Sequence, residues 1–425
     1  MEVLEIKGGN QLSGTIRISG AKNSSVALIP ASILTDEEVT LTNVPEIKDT
    51  DSLTDILEFL GAGVNRSTES MVIKPESIDN KCIPEEYAKK LRASYYFMGA
   101  MLGKYKHAEL YFPGGCSIGE RPINLHLKGF EALGATVTND GNKYIVDAKD
   151  LIGAEIYLDI ASVGATINIM LAAVLAKGKT VIENAAKEPE IVDVAVLLQS
   201  MGAKISGAGT STIRITGVEK LHGCFHEVIP DRIEAGTYII IGALAGNYLK
   251  IDNVIPKHLE ALISKLEDMG VELDVGDDYI IVNKPDAYGT INIKTLGYPG
   301  FPTDLQQPFS VLLTQASGTS KIVETIWENR FMHIPYLNKM GADIETGHMS
   351  CRVYGPTPLT GAYVEATDLR AGAAMVAAGL IADGTTTISN INHILRGYEN
   401  IVTKLSDVGA DIKIKEIEEE KSKSK

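Results

Sequence analysis

The sequence predicts an α/β chain of two domains assembled from six copies of one unit. Three observations carry this reading. A short signature recurs six times, as EFLGAGV at Gly61, EALGATV at Gly134, QSMGAKI at Gly202, EDMGVEL at Gly270, NKMGADI at Gly341 and SDVGADI at Gly409. The spacings between these glycines are 73, 68, 68, 71 and 68 residues, so the copies account for nearly the whole chain. At 425 residues the chain is also longer than a single core ordinarily supports.

Within each copy the elements follow from local pattern. The first half is a small-residue apolar helix, a glycine or polar turn, and a strand, as in SVALIPASILTDEEVTLTNV, GATINIMLAAVLAKGKTVIENA and RAGAAMVAAGLIADGTTTISNI. The Ala and Gly content of these helices predicts burial with close helix packing. The second half opens with an amphipathic helix, as in DILEFLG, NLHLKGFEALG and ALISKLEDMG, with apolar residues at three- and four-residue steps. The signature glycine stands where a left-handed helix cap is needed, and a strand pair follows. Each copy therefore reads strand–helix–strand–helix–strand–strand. Solenoid repeats are shorter and end in polar caps, whereas no end copy here looks like a cap. Two closed clusters of three copies fit better: residues 20–229, and residues 230–425 with 1–19 crossing over to complete them. The boundary falls near Pro230 in HEVIPDRIEAG.

Composition narrows the function classes. The chain is 44% hydrophobic and 22% charged, an ordinary globular balance, with a net charge of −15 that argues against nucleic-acid binding. Cys82, Cys116, Cys224 and Cys351 show no C-x-x-C spacing, which suits a reducing compartment rather than a disulfide framework. The start, MEVLEIKGGN, carries no basic-then-apolar signal, and the apolar runs near Ile167–Ala176 and Tyr238–Ala245 are too short to span a bilayer. A cytoplasmic protein without membrane partners is expected. The charged tail KEIEEEKSKSK reads as solvated chain.

Comparing copies position by position locates the charges. The first helices start at Lys22, Arg92, Ser162, Arg232, Asp304 and Arg370. Thirteen residues before the signature glycine lie Lys48, Arg121, Pro189, Lys257 and Arg396, and the fifth copy has Glu328 there with Arg330 two residues on. Basic groups thus recur at helix starts, where unpaired N–H groups and the positive dipole end already attract anions. A small, multiply anionic ligand is predicted; the alternative for any one cation is a surface ion pair. Asp304, in GFPTDLQQP, occupies a position where sister copies carry Lys or Arg. It reads either as a helix cap or as a general base in a cationic setting. The stretch PGGCSIGERP, Pro113–Pro122, is a glycine loop holding Cys116 five residues from Arg121, an arrangement that lowers a thiol's pKa. The bland reading is a turn with an incidental cysteine. Two other features carry less. HGCFH (His222, Cys224, His226) lacks a second Cys/His pair at metal spacing. AKGKT at Lys179 lacks the first glycine of a P-loop.

With the loop, the copies and the charges assembled, the chain resembles the enolpyruvyl transferases over its whole length. The motifs are SGAKNSS at Lys22–Asn23, LRASYYFMG at Arg92, PGGCSIGERPINLH at Cys116–Leu125 and SVGAT at Ser162. They continue as FPTDLQQP at Asp304, ENRFMH at Arg330, TDLRAGAA at Asp368–Arg370 and HILRGYEN at Arg396. Within the family they resemble the branch whose acceptor is UDP-N-acetylglucosamine, at the first committed step of peptidoglycan synthesis. The resemblance implies two inside-out α/β barrel domains, each of three βαβαββ units, with the site between them. It implies that phosphoenolpyruvate and UDP-N-acetylglucosamine give enolpyruvyl-UDP-N-acetylglucosamine and phosphate, with no metal, no organic cofactor and a monomeric enzyme.

Residue by residue, the resemblance assigns Lys22, Arg121 and Arg396 to the phosphate of phosphoenolpyruvate, and Arg330 and Arg370 to its carboxylate end. Asn23, Arg92, Arg121, Pro122, Ile123, Asn124, Leu125, Ser162, Val163, Gly164, Asp304 and Ile326 line the sugar-nucleotide site, and Asp368 belongs to the substrate-binding set. Cys116 acts as general acid near C3 and as the site of a covalent phosphoenolpyruvate adduct. Asp304 takes the proton of the sugar 3′-hydroxyl. Glu120 and Asn124 depart from the residues common in the family at those positions. The competing readings are the sister 3-phosphoshikimate 1-carboxyvinyltransferase and a non-catalytic UDP-sugar-binding paralogue.

Overall fold

In the computed structural model, residues 1–68, 70–112 and 122–417 are described. The loop with Cys116 and Arg121 and the end of the charged tail lie outside them. The described chain divides into two compact units, one of Met1–Ile18 with residues 232–417, the other of residues 19–112 with 122–231.

The six signature glycines all take the left-handed conformation the helix ends require, with φ of 100°, 95°, 102°, 88°, 104° and 108° in chain order. The amphipathic helices they terminate include Lys48–Leu60, Asn124–Ala132 and Pro189–Ser200 in one unit, and Glu260–Asp268, Ile334–Lys339 and Ile401–Asp407 in the other. The small-residue helices form the interior. In one unit they are Lys22–Ala31, Tyr96–Tyr105 and Val163–Ala173; in the other, Arg232–Ala245, Thr303–Leu313 and Leu369–Ile381. From its second residue on, Arg232–Ala245 is buried throughout. Sheets with one buried face surround these helices, as the alternating burial of Val39–Thr42 and Tyr279–Val282 illustrates. This is the inside-out α/β arrangement: helices within, strands without.

Among the described residues there are five four-stranded sheets and one three-stranded sheet. The fifth copy gives the pattern in full. Asn292–Lys294 lies parallel to Gly318–Val323, which pairs antiparallel with Ser350–Gly355, which pairs antiparallel with Asp343–Gly347. Three copies borrow strands from far along the chain. Leu12–Arg17 supplies the leading parallel strand beside Gly246–Asp252, and Cys224–Glu227 supplies the equivalent strand beside Val39–Thr42. Glu2–Lys7 inserts between Thr385–Ser389 and Asp411–Glu416, standing in for the last strand of the sixth copy. Each set of three copies is thereby closed on itself, with inner helices brought to a common centre.

The cap glycines yield a graded prediction. At Gly270 an added Cβ meets nothing within 4 Å, so Gly270→Ala carries only the backbone cost, about 1–2 kcal/mol. At Gly61 the added Cβ would lie 2.7 Å from the carbonyl oxygen of Ser77, so Gly61→Ala must cost more. Urea midpoints of the two variants should fall in that order; equal midpoints would contradict it.

Candidate active site

In the unit of residues 19–231, Lys22 is the first residue of its helix and is held from two sides. Its Nζ lies 3.0 Å from Asp49 Oδ2, the two side chains 16% and 4% exposed. Its backbone N–H donates to Asp231 Oδ2 at 2.9 Å, so a carboxylate 209 residues away caps this helix start. Asn23 follows, half-buried. Arg92 opens the 3-10 turn Arg92–Tyr95 that runs into Tyr96–Tyr105. Ser162 is a true N-cap, its Oγ accepting from Ala165 N–H at 3.2 Å, with Val163 and Gly164 in the first turn. Pro122 and Asn124 are exposed, Leu125 is half-buried, and Ile123 is buried at the start of Asn124–Ala132.

Behind Gly164 stands a residue to which the sequence reading assigned no role. His126 is 5% exposed, and its ring lies edge-on to Tyr95 at 4.8 Å between centroids. Asn168 Oδ1 accepts from Gly99 N–H at 2.9 Å, which orients that amide. Asn168 Nδ2 then donates to Tyr95 O and to His126 Nδ1, both at 2.9 Å. The network places the histidine proton on Nε2. Burial, aided by the Arg92 cation, pushes the imidazole pKa down to about 3, so it is neutral. A Cβ on Gly164 would sit 2.9 Å from both Tyr95 Oη and His126 Cε1, so only glycine fits this close approach.

In the other unit one carboxylate joins two buried guanidinium groups. Arg330 Nη2 donates to Asp304 Oδ1 at 2.5 Å, and Arg370 Nη2 donates to Asp304 Oδ2 at 3.1 Å. The arginine side chains are 2% and 4% exposed, and Asp304 is 28% exposed. Pro302, not Asp304, holds the N-cap position of Thr303–Leu313, so the cap reading of Asp304 is set aside in favour of the ion pair.

Arg370 is itself fixed. Asp368 caps its helix by accepting from Arg370 N–H at 2.9 Å and Ala371 N–H at 3.1 Å, and accepts from Gln307 Nε2 at 3.1 Å. Arg370 Nη1 donates to Tyr398 Oη at 3.0 Å. Tyr398 bonds Thr237 Oγ1 at 2.9 Å, and Thr237 donates onward to the carbonyl of Ile233 at 2.8 Å. Buried His333 contacts Ser310 Oγ through Nε2 at 2.9 Å. Burial, with Arg330 reinforcing it and Asp368 opposing, lowers its pKa to about 4. Ile326 is 36% exposed on the loop after Gly318–Val323. Arg396, read from the sequence as lying at a helix start, is instead the half-buried residue that ends the four-residue helix Asn392–Leu395.

The geometry thus brings Asp304, Arg330, Arg370 and Asp368 together in one unit and Lys22, Asp49 and Asp231 in the other. Cys116 and Arg121 lie outside the described residues. His226 of HGCFH is engaged by Asp193 Oδ1 at 2.8 Å. Among the described residues no group of three or more His, Cys, Asp or Glu is placed to hold a metal.

The sequence profile of EPSP synthase (3-phosphoshikimate 1-carboxyvinyltransferase) matches residues 6–405. The chain belongs to the EPSP synthase family of enolpyruvyl transferases. Among curated relatives of this transferase, UDP-N-acetylglucosamine 1-carboxyvinyltransferase 2 of Bacillus anthracis is 58% identical over 413 residues, 97% of this chain and 96% of the relative. The protein of the same name from Listeria innocua serovar 6a is 56% identical over 409 residues, 96% of this chain and 97% of the relative. Among solved structures, the enolpyruvyl transferase NikO from Streptomyces tendae superposes with a TM-score of 0.89 at 28% identity, covering 98% of this chain and 99% of that one. An EPSP synthase from Acinetobacter baumannii, at 17% identity and a TM-score of 0.76 over 98% of this chain and all of that one, shares the fold.

The two buried histidines of this transferase set an acid limit. Their folded pKa values of about 3 and about 4 lie below the ordinary 6.5, so the unfolded chain binds more protons in between. Stability from them is full above pH 6.5 and falls as pH drops toward 4. Ring proton resonances of His126 and His333 should stay constant from pH 7.5 to 5, while urea midpoints decline. Titration of either ring near 6.5 would contradict the burial argument.

Proposed function

We propose that this transferase moves the enolpyruvyl group of phosphoenolpyruvate to the 3′-hydroxyl of UDP-N-acetylglucosamine with release of phosphate, the first committed step of peptidoglycan synthesis. The observation that carries the reading is a carboxylate shared by two buried guanidinium groups at a helix start, in a chain 58% identical over 97% of its length to enzymes bearing that activity's name. The sister reaction with shikimate 3-phosphate is the less supported alternative, because the relatives of high identity carry the UDP-sugar name.

The roles are those the family resemblance implies. Lys22, Arg121 and Arg396 would hold the phosphate, and Arg330 and Arg370 the carboxylate of phosphoenolpyruvate. Asn23, Arg92, Pro122 to Leu125, Ser162 to Gly164, Asp368 and Ile326 would seat the sugar nucleotide and frame the site. Cys116 would protonate C3, leaving cationic character at C2. The sugar hydroxyl would add at C2 as Asp304 takes its proton. Loss of a C3 proton and cleavage of the C2–O bond to phosphate would then restore the alkene.

Both guanidinium groups hold Asp304 as an ion pair. A phosphoenolpyruvate carboxylate engaging the same arginines would compete for them and free Asp304 to meet the sugar hydroxyl. Binding of one substrate would thus ready the base for the other. Phosphoenolpyruvate and UDP-N-acetylglucosamine are the expected partners, acting on a monomer in the cytoplasm. Among the described residues no helix is long and apolar enough to cross a membrane.

The test is phosphate release from phosphoenolpyruvate with UDP-N-acetylglucosamine or shikimate 3-phosphate, for the wild type and Cys116→Ser. Release only with the UDP-sugar, reduced by about a hundredfold or more in the variant, is expected for loss of a general acid. Release with shikimate 3-phosphate alone would reassign the acceptor. A fully active variant would remove Cys116 from proton transfer. UDP-sugar binding without release by the wild type would indicate the non-catalytic paralogue.

A further inference from the structure

Just beyond the strand Gly318–Val323 lies a carboxylate that the roles above leave unused. Glu324 is 1% exposed. Its Oε1 accepts from Thr295 Oγ1 at 2.8 Å and from three successive backbone N–H groups, those of Thr325, Ile326 and Trp327, at 3.1, 2.8 and 3.3 Å. Its Oε2 accepts from Thr303 Oγ1 at 3.0 Å. Such a nest of N–H groups stabilises an anion without a countercharge, and two hydroxyls complete it. All five of these donors are uncharged.

The place of those donors in the fold gives the carboxylate a role. Thr303 is the first residue of Thr303–Leu313 and directly precedes Asp304. The nest residues lead into the segment whose Arg330 grips Asp304. Two ties therefore join the first helical turn to the 324–330 segment: a neutral one, Thr303 to Glu324, and a charged one, Asp304 to Arg330. The charged tie is the one a substrate carboxylate would loosen; the neutral tie is indifferent to it.

We propose that Glu324, acting through Thr303, is a positioning residue that keeps Asp304 aimed and the Ile326 loop in place once substrate has drawn off the arginines. The inference rests on the enolpyruvyl-transfer reading. Its mark is an effect on turnover larger than any loss of stability explains, because the loosened state leans on the neutral tie most.

Glu324→Ala removes five hydrogen bonds and disturbs folding as well, so Thr303→Val is the discriminating variant. It keeps volume and branching and deletes one donor. Steady-state phosphate release, measured well below the melting midpoint, should show kcat down about tenfold and the KM for phosphoenolpyruvate within about twofold, since small misplacement of a reacting group is costly in rate, with a modest fall in the midpoint for the lost hydrogen bond. Thr303→Ser, which keeps the hydroxyl, should restore kcat to within about twofold. An active wild type with Thr303→Val at wild-type kcat would overturn the proposal alone. So would a loss that tracks a lowered melting midpoint and is not rescued by serine. A wild type inactive with UDP-N-acetylglucosamine would remove the functional reading and this proposal with it.

Discussion

Two guanidinium groups buried to within a few per cent share one partly exposed carboxylate, and much of the charged site follows from that constraint. A buried cation without a partner is strongly destabilising. Asp304 spans Arg330 and Arg370, at 2.5 and 3.1 Å, and supplies a countercharge to both. Arg370 is further oriented by the hydroxyls of Tyr398 and Thr237, and its helix is capped by Asp368. With Asp368 counted, the two carboxylates balance the two guanidinium groups, so an incoming anion would have to compete with Asp304 for the arginines. The other unit repeats the scheme on a smaller scale, with Asp49 holding the Lys22 ammonium and Asp231 its backbone N–H.

The sixfold repeat explains why such sites recur. Each copy contributes one inner helix, so equivalent helix starts offer comparable places for a charged or capping side chain. The copies fill them differently: Ser162 is an N-cap and Asp304 pairs with two arginines, while Arg396, at another repeat position, ends a short helix. The sheets enforce this arrangement through strands borrowed over long sequence separations, such as Glu2–Lys7 beside Asp411–Glu416.

The features legible in the sequence were those with a short-range cause. The cap glycines announced themselves because left-handed backbone favours glycine, and all six adopt it. Most helix starts were readable because residue periodicity locates them, though Arg396 instead ends a short helix. Pairings made across long separations were not readable. Nothing local marks Asp231 as the partner of Lys22 N–H, or Asn168 as the residue that sets the tautomer of His126. Glu324 was hidden for the same reason: a glutamate after a strand looks solvated until three backbone N–H groups turn toward it. The cap-or-base ambiguity at Asp304 likewise needed the positions of Arg330 and Arg370. Cys116 and Arg121, prominent in the sequence, lie outside the described residues.

The claim on which the account turns is that Asp304 is a base held in check by the arginines that receive phosphoenolpyruvate. It is tested most directly by measuring phosphoenolpyruvate affinity and phosphate release on one preparation of Asp304→Asn. The variant removes a competing carboxylate, so affinity should equal or exceed that of the wild type, while turnover falls by about a hundredfold or more, as expected for loss of a general base. Turnover near the wild-type rate would contradict the account and leave Asp304 as nothing more than the partner that keeps two buried arginines in place.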